Sequence, residues 1–296
     1  MSWDEAANKP DSCLFGIIYG MRRKQEFRFA VMSDVHANPH ALERAIADAR
    51  ERGCERFIML GDITGYGYDA RESVRLVREN FDRVLCGNHD AVACGRDEYK
   101  AERNPNYRLD LEQGNALSYE DRKWMDGLWH YYEEAGAAFA HDNFVCPGDW
   151  RYVQDSQSAL RSMLRGLQPV LFCGHTHYAM AFARSATGRN ARVIADFDGP
   201  PLKDETHVYK LSGKSQYLAN VGSVGYPRND LSSTYVIWDP KERSITYRRL
   251  AFDFEGYIRR MREAGLPLRK WLRVVEEGGV PASYREYYER FRSFRG

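Results

Sequence analysis

The stretch FRFAVMSDVHANPHALERA, residues 27–45, carries three signals in one line. Its first part, 27–33, is an apolar run that reads as a buried strand. Its last part opens a helix over 38–53. Asn38 supplies a cap, Pro39 suits the first turn and Gly53 suits the stop. Ala41, Leu42, Ala45 and Ile46 recur there at helical spacing. Between strand and helix stand Asp34 and His36, two positions apart. Two readings are open for this pair: an ordinary solvated strand end, or two ligands for one metal ion.

Outward from this unit, strand and helix repeat. Residues 56–60 read as a strand, 70–80 as a helix and 83–86 as a third short strand. Strands separated by helices pair in parallel through crossovers. Residues 91–134 are polar, with Tyr and Trp among charges, and read as a helical insert covering one edge of the core. A strand at 136–141, a helix at 158–167 and a strand at 169–174 follow. From 178 to 250 the pattern turns to β, with a polar loop at 198–215 and a hairpin at 233–250, and helices follow over about 254–296. No repeat or low-complexity linker divides the chain, so residues 27–296 read as a single domain. Residues 1–26 read as an extension outside it. The short apolar run at 13–20 precedes its basic cluster, the reverse of a secretory signal. Met21 is an alternative start, and a strand or helix docked on the body is the alternative to an extension.

Composition narrows the function classes. The chain of 296 residues has 43 basic and 42 acidic side chains, a net charge of +1. That balance gives no footprint for nucleic acid or a membrane surface. No apolar run approaches the ~20 residues that span a bilayer. The six cysteines form no C-x-x-C pair and have apolar neighbours, which suits buried free thiols in the cytoplasm.

A polar cluster follows nearly every expected central strand: SDVH at 33–36, GDITGYG at 61–67, GNHD at 87–90, HD at 141–142 and GHTH at 174–177. Ligands of α/β sheets bind at the carboxyl ends of the strands, so these clusters are expected to converge. Seven donors emerge: Asp34, His36, Asp62, Asn88, His141, His175 and His177. Carboxylate, imidazole and carboxamide without thiolate suit Mn, Fe, Zn or Ni. Seven is too many for one ion and suits two that share a bridging carboxylate. Two ions roughly 3.5–4 Å apart form a clamp for phosphoryl transfer. A dinucleotide fold is not indicated, since no G-x-G-x-x-G follows the first strand.

In these elements the chain resembles the calcineurin-like metallophosphoesterases. Their pattern is D-x-H, G-D, G-N-H-D/E, a lone His and G-H-x-H, and Asp34–His36, Gly61–Asp62, Gly87–Asp90, His141 and Gly174–His177 stand in that order. NVGSVG, 220–225, resembles the loop after G-H-x-H in bacterial members. The resemblance implies an α/β fold of two mixed sheets packed face to face, flanked by helices. It implies that Asp34, His36 and His177 hold one divalent metal, that Asn88, His141 and His175 hold another, and that Asp62 bridges them. It further implies attack on the phosphorus of a substrate ester by a metal-bridging hydroxide. His89 would donate to the phosphate or the leaving oxygen, with Asp90 or Asp34 orienting it.

Two departures stand out. Asp142 follows His141 where members usually carry Gly, and is expected to be loop variation rather than a rearranged metal site. In GDITGYG, Gly65 and Tyr66 replace the phosphate-gripping Arg of Ser/Thr protein phosphatases and symmetrical diadenosine tetraphosphate hydrolases. The chain therefore looks more like bacterial phosphodiesterase-type members, acting on a phosphodiester or phosphomonoester such as a nucleotide. A protein-binding scaffold on the same fold and a Ser/Thr protein phosphatase are the alternatives.

The remaining histidines lack ligand spacing. His40 is expected to face solvent, His130 to lie in a packed or surface helix, and His207 in a loop. Tyr66 and Tyr68 either serve the turn or line the pocket mouth, Tyr66 then touching substrate. Arg96 and Arg103 would meet substrate only if the insert caps the site. The stripe of Tyr284, Tyr287, Tyr288, Phe291 and Phe294 packs on the body or forms a homodimer contact.

Overall fold

The first strand is buried on both faces, and its alternation separates the layers of the fold. In β1 (Phe29–Met32), Phe29 and Val31 enter one apolar cluster and Ala30 and Met32 another, as the two-residue period of a strand requires. In β2 (Arg56–Met59), Ile58 joins the first cluster while Phe57 and Met59 join the second. The computed structural model describes residues 27–104, 107–185, 188–197, 201, 203–228 and 231–268.

β1 and β2 pair in parallel, Phe29 opposite Arg56 and Met32 opposite Met59. The crossover between them is α1 (Pro39–Glu51), where Asn38 Oδ1 accepts from the Ala41 amide at 3.3 Å. α2 (Ala70–Asn80), capped by Asp69, leads to β3 (Arg83–Val84), parallel to β2. Leu42, Ala45 and Ile46 of α1 and Val74 and Val77 of α2 cover Ala30 and Met32.

The insert holds α3 (Asn88–Ala93), α4 (Tyr99–Arg103), α5 (Arg108–Ala116) and α6 (Tyr119–Asp126). Then β4 (Tyr131–Glu134) and β5 (Ala137–Ala140) pair antiparallel, and α7 (Ser156–Met163) precedes β6 (Val170–Cys173). The β-rich part comprises β7 (Ala179–Ser185), β8 (Arg192–Asp196), β9 (Glu205–Lys210), β10 (Ser215–Val221), β11 (Ser232–Asp239) and β12 (Ser244–Ala251), followed by α8 (Phe254–Glu263).

Two six-stranded sheets result, ordered β3-β2-β1-β11-β12-β9 and β4-β5-β6-β10-β7-β8. Each is mixed: β1 is parallel to β2 and antiparallel to β11, and β10 is parallel to β6 and antiparallel to β7. They meet face to face over Phe29, Val31, Phe139, Phe172, Val236 and Tyr247. The outer face of the second sheet is covered by Ala159 and Met163 of α7. This is the expected architecture of two mixed sheets flanked by helices.

One polar network ties the helical layer to the first sheet. Arg248, buried in β12, donates to both carboxylate oxygens of Asp48 in α1 at 2.7 and 2.8 Å. Tyr235 donates to the same carboxylate at 2.6 Å.

Three strands differ from the sequence expectation. The insert ends earlier than expected, because 131–134 forms β4 on the edge of the second sheet. Residues 192–196 form β8, and 205–210, expected as a loop around His207, form β9 against β12. β9 alternates between half-buried and exposed positions, so no apolar run marks it. Residues 1–26, with the apolar run at 13–20, lie outside the described residues, as does the aromatic stripe at 284–294. The five cysteines among the described residues are free. No helix among the described residues is long and apolar enough to cross a membrane.

Candidate metal centre and active site

The clusters after β1, β2, β5 and β6 and the first turn of α3 converge, and they do so from both sheets. Local hydrogen bonds join the strand ends. Asp34 N donates to Gly61 O at 3.0 Å, His36 N to Asp62 O at 2.9 Å, and Gly174 N to His141 O at 2.9 Å. The sheets are stitched by His175 N, which donates to Asp34 Oδ2 at 3.0 Å. The backbone is strained here: Asp34, His36, Asp62, His175 and His177 have φ of 56°, 47°, 54°, 66° and 62°. Left-handed conformations cost a non-glycine residue of order 1–3 kcal/mol and gather at functional sites. At Gly87 a Cβ would lie 2.1 Å from Asp62 Oδ1, so only glycine lets α3 approach this carboxylate.

The donor atoms fall into two groups that share Asp62. Asp34, His36, Asp62 and His177 form one, Asp62, His141 and His175 the other, and in each the donors lie within 4.8 Å of one another. Asn88 Oδ1 joins the second group, 3.3 Å from His141 Nε2. All seven expected donors are therefore together, and all are buried.

Surrounding groups fix which atoms face the cluster. His36 Nδ1 donates to Thr64 O at 2.9 Å, His177 Nδ1 to Tyr226 O at 2.6 Å, and His175 Nε2 to Trp150 O at 3.0 Å. A carbonyl only accepts, so each neutral ring turns a lone pair inward, as metal-binding histidines do. Burial lowers all three histidine pKa values, to about 3 for His36 and His175, and Arg228 further lowers that of His177. The lone pairs of His36 Nε2 and His177 Nε2 thus face each other at 3.0 Å. Asp34 Oδ1 is buried with no hydrogen-bond partner.

Burial opposes ionisation of Asp34; its pKa is held well below the usual range only when a proton rests on His177 or His36, so the neutral rings leave its charge for a cation to balance. Burial likewise opposes ionisation of Asp62, and His141 and His89 outweigh it. Burial lowers the pKa of His141, but Asp62 drives it up to about 9, so a proton sits where a cation would neutralise the carboxylates. Facing lone pairs, an unpartnered carboxylate oxygen and two buried carboxylates fit cation binding on both sides of Asp62.

His89 is oriented differently from expectation. Its Nδ1 lies 2.9 and 3.0 Å from the two oxygens of Asp110, a buried residue of α5. Burial opposes its protonation, and Asp110 and Asp62 more than restore it, raising its pKa. Asp90 turns away. Its oxygens accept from Ile63 N, Thr64 N, Thr64 Oγ1 and Gly87 N at 2.9–3.2 Å, clamping the loop after Asp62. Burial raises the Asp90 pKa to about 6. Gln113 of α5 holds the same loop through Gly65 N at 2.7 Å and Gly67 O at 3.0 Å. Asp110 and Gln113 lie in the insert, where the sequence offered no motif.

Asp142 accepts from Gly148 N at 3.1 Å and Trp150 N at 2.6 Å. It shapes the loop that brings Trp150 O to His175, and its carboxylate does not enter either donor group.

The Calcineurin-like phosphoesterase superfamily domain matches residues 27–243. This chain belongs to that superfamily. The chain is similar to an uncharacterized protein of Methanocaldococcus jannaschii, MJ0912, at 29% identity over 82% of this chain and 94% of the relative. It is also similar to the crystal structure of a metallophosphoesterase from Sphaerobacter thermophilus. There the identity is 29% and the TM-score 0.69, covering 86% of this chain and 99% of that one. Phosphoesterases of this family are metal-dependent, in accord with the Asp/His cluster.

Tyrosines ring the donor cluster. The Tyr66 ring lies 4.5 Å from those of His36 and His89, Tyr107 lies 5.1 Å from His89, and Tyr152 stacks 4.4 Å from His175. Tyr226 lies 5.8 Å from His177 and 4.7 Å from Tyr66. Tyr68 instead donates to Asn38 Oδ1 at 2.9 Å. His40 is exposed, and His130 packs 5.3 Å from Trp150. Arg96 is tied to Asp126 at 3.0 Å, and Arg103 is exposed on α4. A surface groove of about 930 Å³ between α2 and α6, lined by Arg71, Arg75, Leu117 and Asp121 among others, has no cluster residue in its lining.

Proposed function

We propose that this phosphoesterase hydrolyses a phosphodiester or phosphomonoester, nucleotides among them, at a centre of two divalent transition metals. The observation that carries this reading is Asp62, shared by both donor groups. Asp34, His36 and His177 would hold one ion, and Asn88, His141 and His175 the other. Such a pair supplies an activated water and neutralises phosphoryl oxygens. His89, kept protonated by Asp110, donates to the phosphate or the leaving oxygen. Asp90 serves by clamping the Asp62 loop rather than by touching substrate. Tyr66, over His36 and His89, lines the path of the ester. Mn, Fe, Zn and Ni all suit the donor set.

The test is turnover of mono- and bis-(p-nitrophenyl) phosphate with each ion, alongside elemental analysis. The expected result is about two ions per chain and ion-dependent release of p-nitrophenol. Absence of turnover with every ion and both esters, and with a nucleotide panel, overturns the reading.

A further inference from the structure

A phosphate ester at the donor cluster needs hydrogen-bond donors for oxygens that face away from the ions. The loop after β10 brings one. Gly225 N donates to Asp34 O at 3.0 Å and Ser223 Oγ to the same oxygen at 2.8 Å, while Tyr226 O accepts from His177 Nδ1. A Cβ on Gly225 would lie 1.7 Å from Val35 O, so the loop lies flush against the end of β1. Two residues beyond Tyr226 comes Arg228, partly buried.

Its surroundings set it apart from the other arginines described. Tyr66, Tyr152, Tyr178 and Tyr226 are its electrostatic neighbours, and its charge bears on His177. Three of those rings lie against cluster histidines: Tyr66 on His36 and His89, Tyr152 on His175, and Tyr226 on His177. The loop that carries Arg228 thus holds His177 through Tyr226 O and packs Tyr226 on Tyr66 at the rim of the cluster. Among the described residues Arg228 makes no hydrogen bond or ion pair, whereas Arg248 is held by Asp48 and Arg96 by Asp126. A guanidinium cannot shed its charge, and its planar fork matches phosphate oxygens.

We propose that Arg228 binds substrate, donating to a nonbridging phosphoryl oxygen of the ester and to inorganic phosphate after hydrolysis. This rests on the phosphoesterase reading above. Two divalent ions opposite two carboxylates leave the centre positive, and Arg228 adds to that field on the substrate side. The ligand class is a phosphoryl anion, preferably a monoester dianion.

The test compares wild type, Arg228→Ala and Arg228→Lys by calorimetric titration of inorganic phosphate into the ion-loaded protein, by ion affinity, and by steady-state kinetics. Arg228→Ala is expected to weaken phosphate about 10- to 100-fold. Arg228→Lys should recover part of that. Ion affinity should stay level or tighten, because a positive neighbour has been removed. A structural role would instead weaken phosphate and ions together and lower the melting temperature. Phosphate binding within about twofold of wild type in Arg228→Ala overturns the proposal while turnover by wild type keeps the phosphoesterase reading. Should Arg228→Ala fail to fold, unchanged phosphate affinity in Arg228→Lys overturns it equally. Neither turnover nor phosphate binding by wild type sinks both.

Discussion

At the scale of single residues, the His89–Asp110 pair sets the proposed proton chemistry. Asp110 raises the His89 pKa, and the donor role needs the protonated ring. The kcat should therefore fall as pH rises through that pKa. In Asp110→Asn the raising charge is gone, so the fall should move to lower pH and kcat at neutral pH should drop. His89→Ala should lose about 10²- to 10⁴-fold in kcat. Both variants should keep their ions by elemental analysis, and loss of both ions in His89→Ala would show that this residue holds the centre together. Asp62→Asn should empty both donor groups, whereas Asp34→Asn should spare the one containing His141 and His175. The convergence of these seven side chains was legible because each sits in a short polar cluster that follows a strand. Asp110 was not: an acid in the first turn of a helix has an ordinary electrostatic explanation, and its meeting with His89 depends on how α5 packs on α3.

At the scale of elements, two connections carry expectations. The loop from 142 to 150 hangs on Asp142, which places Trp150 O against His175. Asp142→Ala should weaken ion binding at the second group about 10- to 100-fold, as losses behind a metal ligand do, measured by chelator competition. The buried Asp48–Arg248 bond joins α1 to β12. Asp48→Ala leaves Arg248 uncompensated and should cost about 3–5 kcal/mol in denaturant unfolding without changing ion affinity. Elements with strong apolar periods, β1, α1 and β11 among them, were readable. β4, β8 and β9 were not, because strands at or near a sheet edge keep polar residues. β9 in addition pairs with a strand distant in sequence, Tyr247 lying opposite His207.

At the scale of the molecule, binding of ions by the folded state alone ties stability to ion concentration. Chelation should lower the melting temperature, and restored ion should raise it with the logarithm of its concentration. An unchanged melting temperature after complete chelation would favour a scaffold. The convergence of five polar clusters was legible from their places after strands. That they come from two sheets was not a matter of local pattern, since an apolar strand looks alike in either. The ligand geometry also orders events in time. His36 and His177 lie 141 positions apart, and neither sheet owns a complete donor group. A refolding chain thus completes neither donor group until its two sheets have docked. Ion uptake in stopped flow should share one rate constant with the final tryptophan fluorescence phase. Ion added at the start should leave that rate unchanged and slow only unfolding.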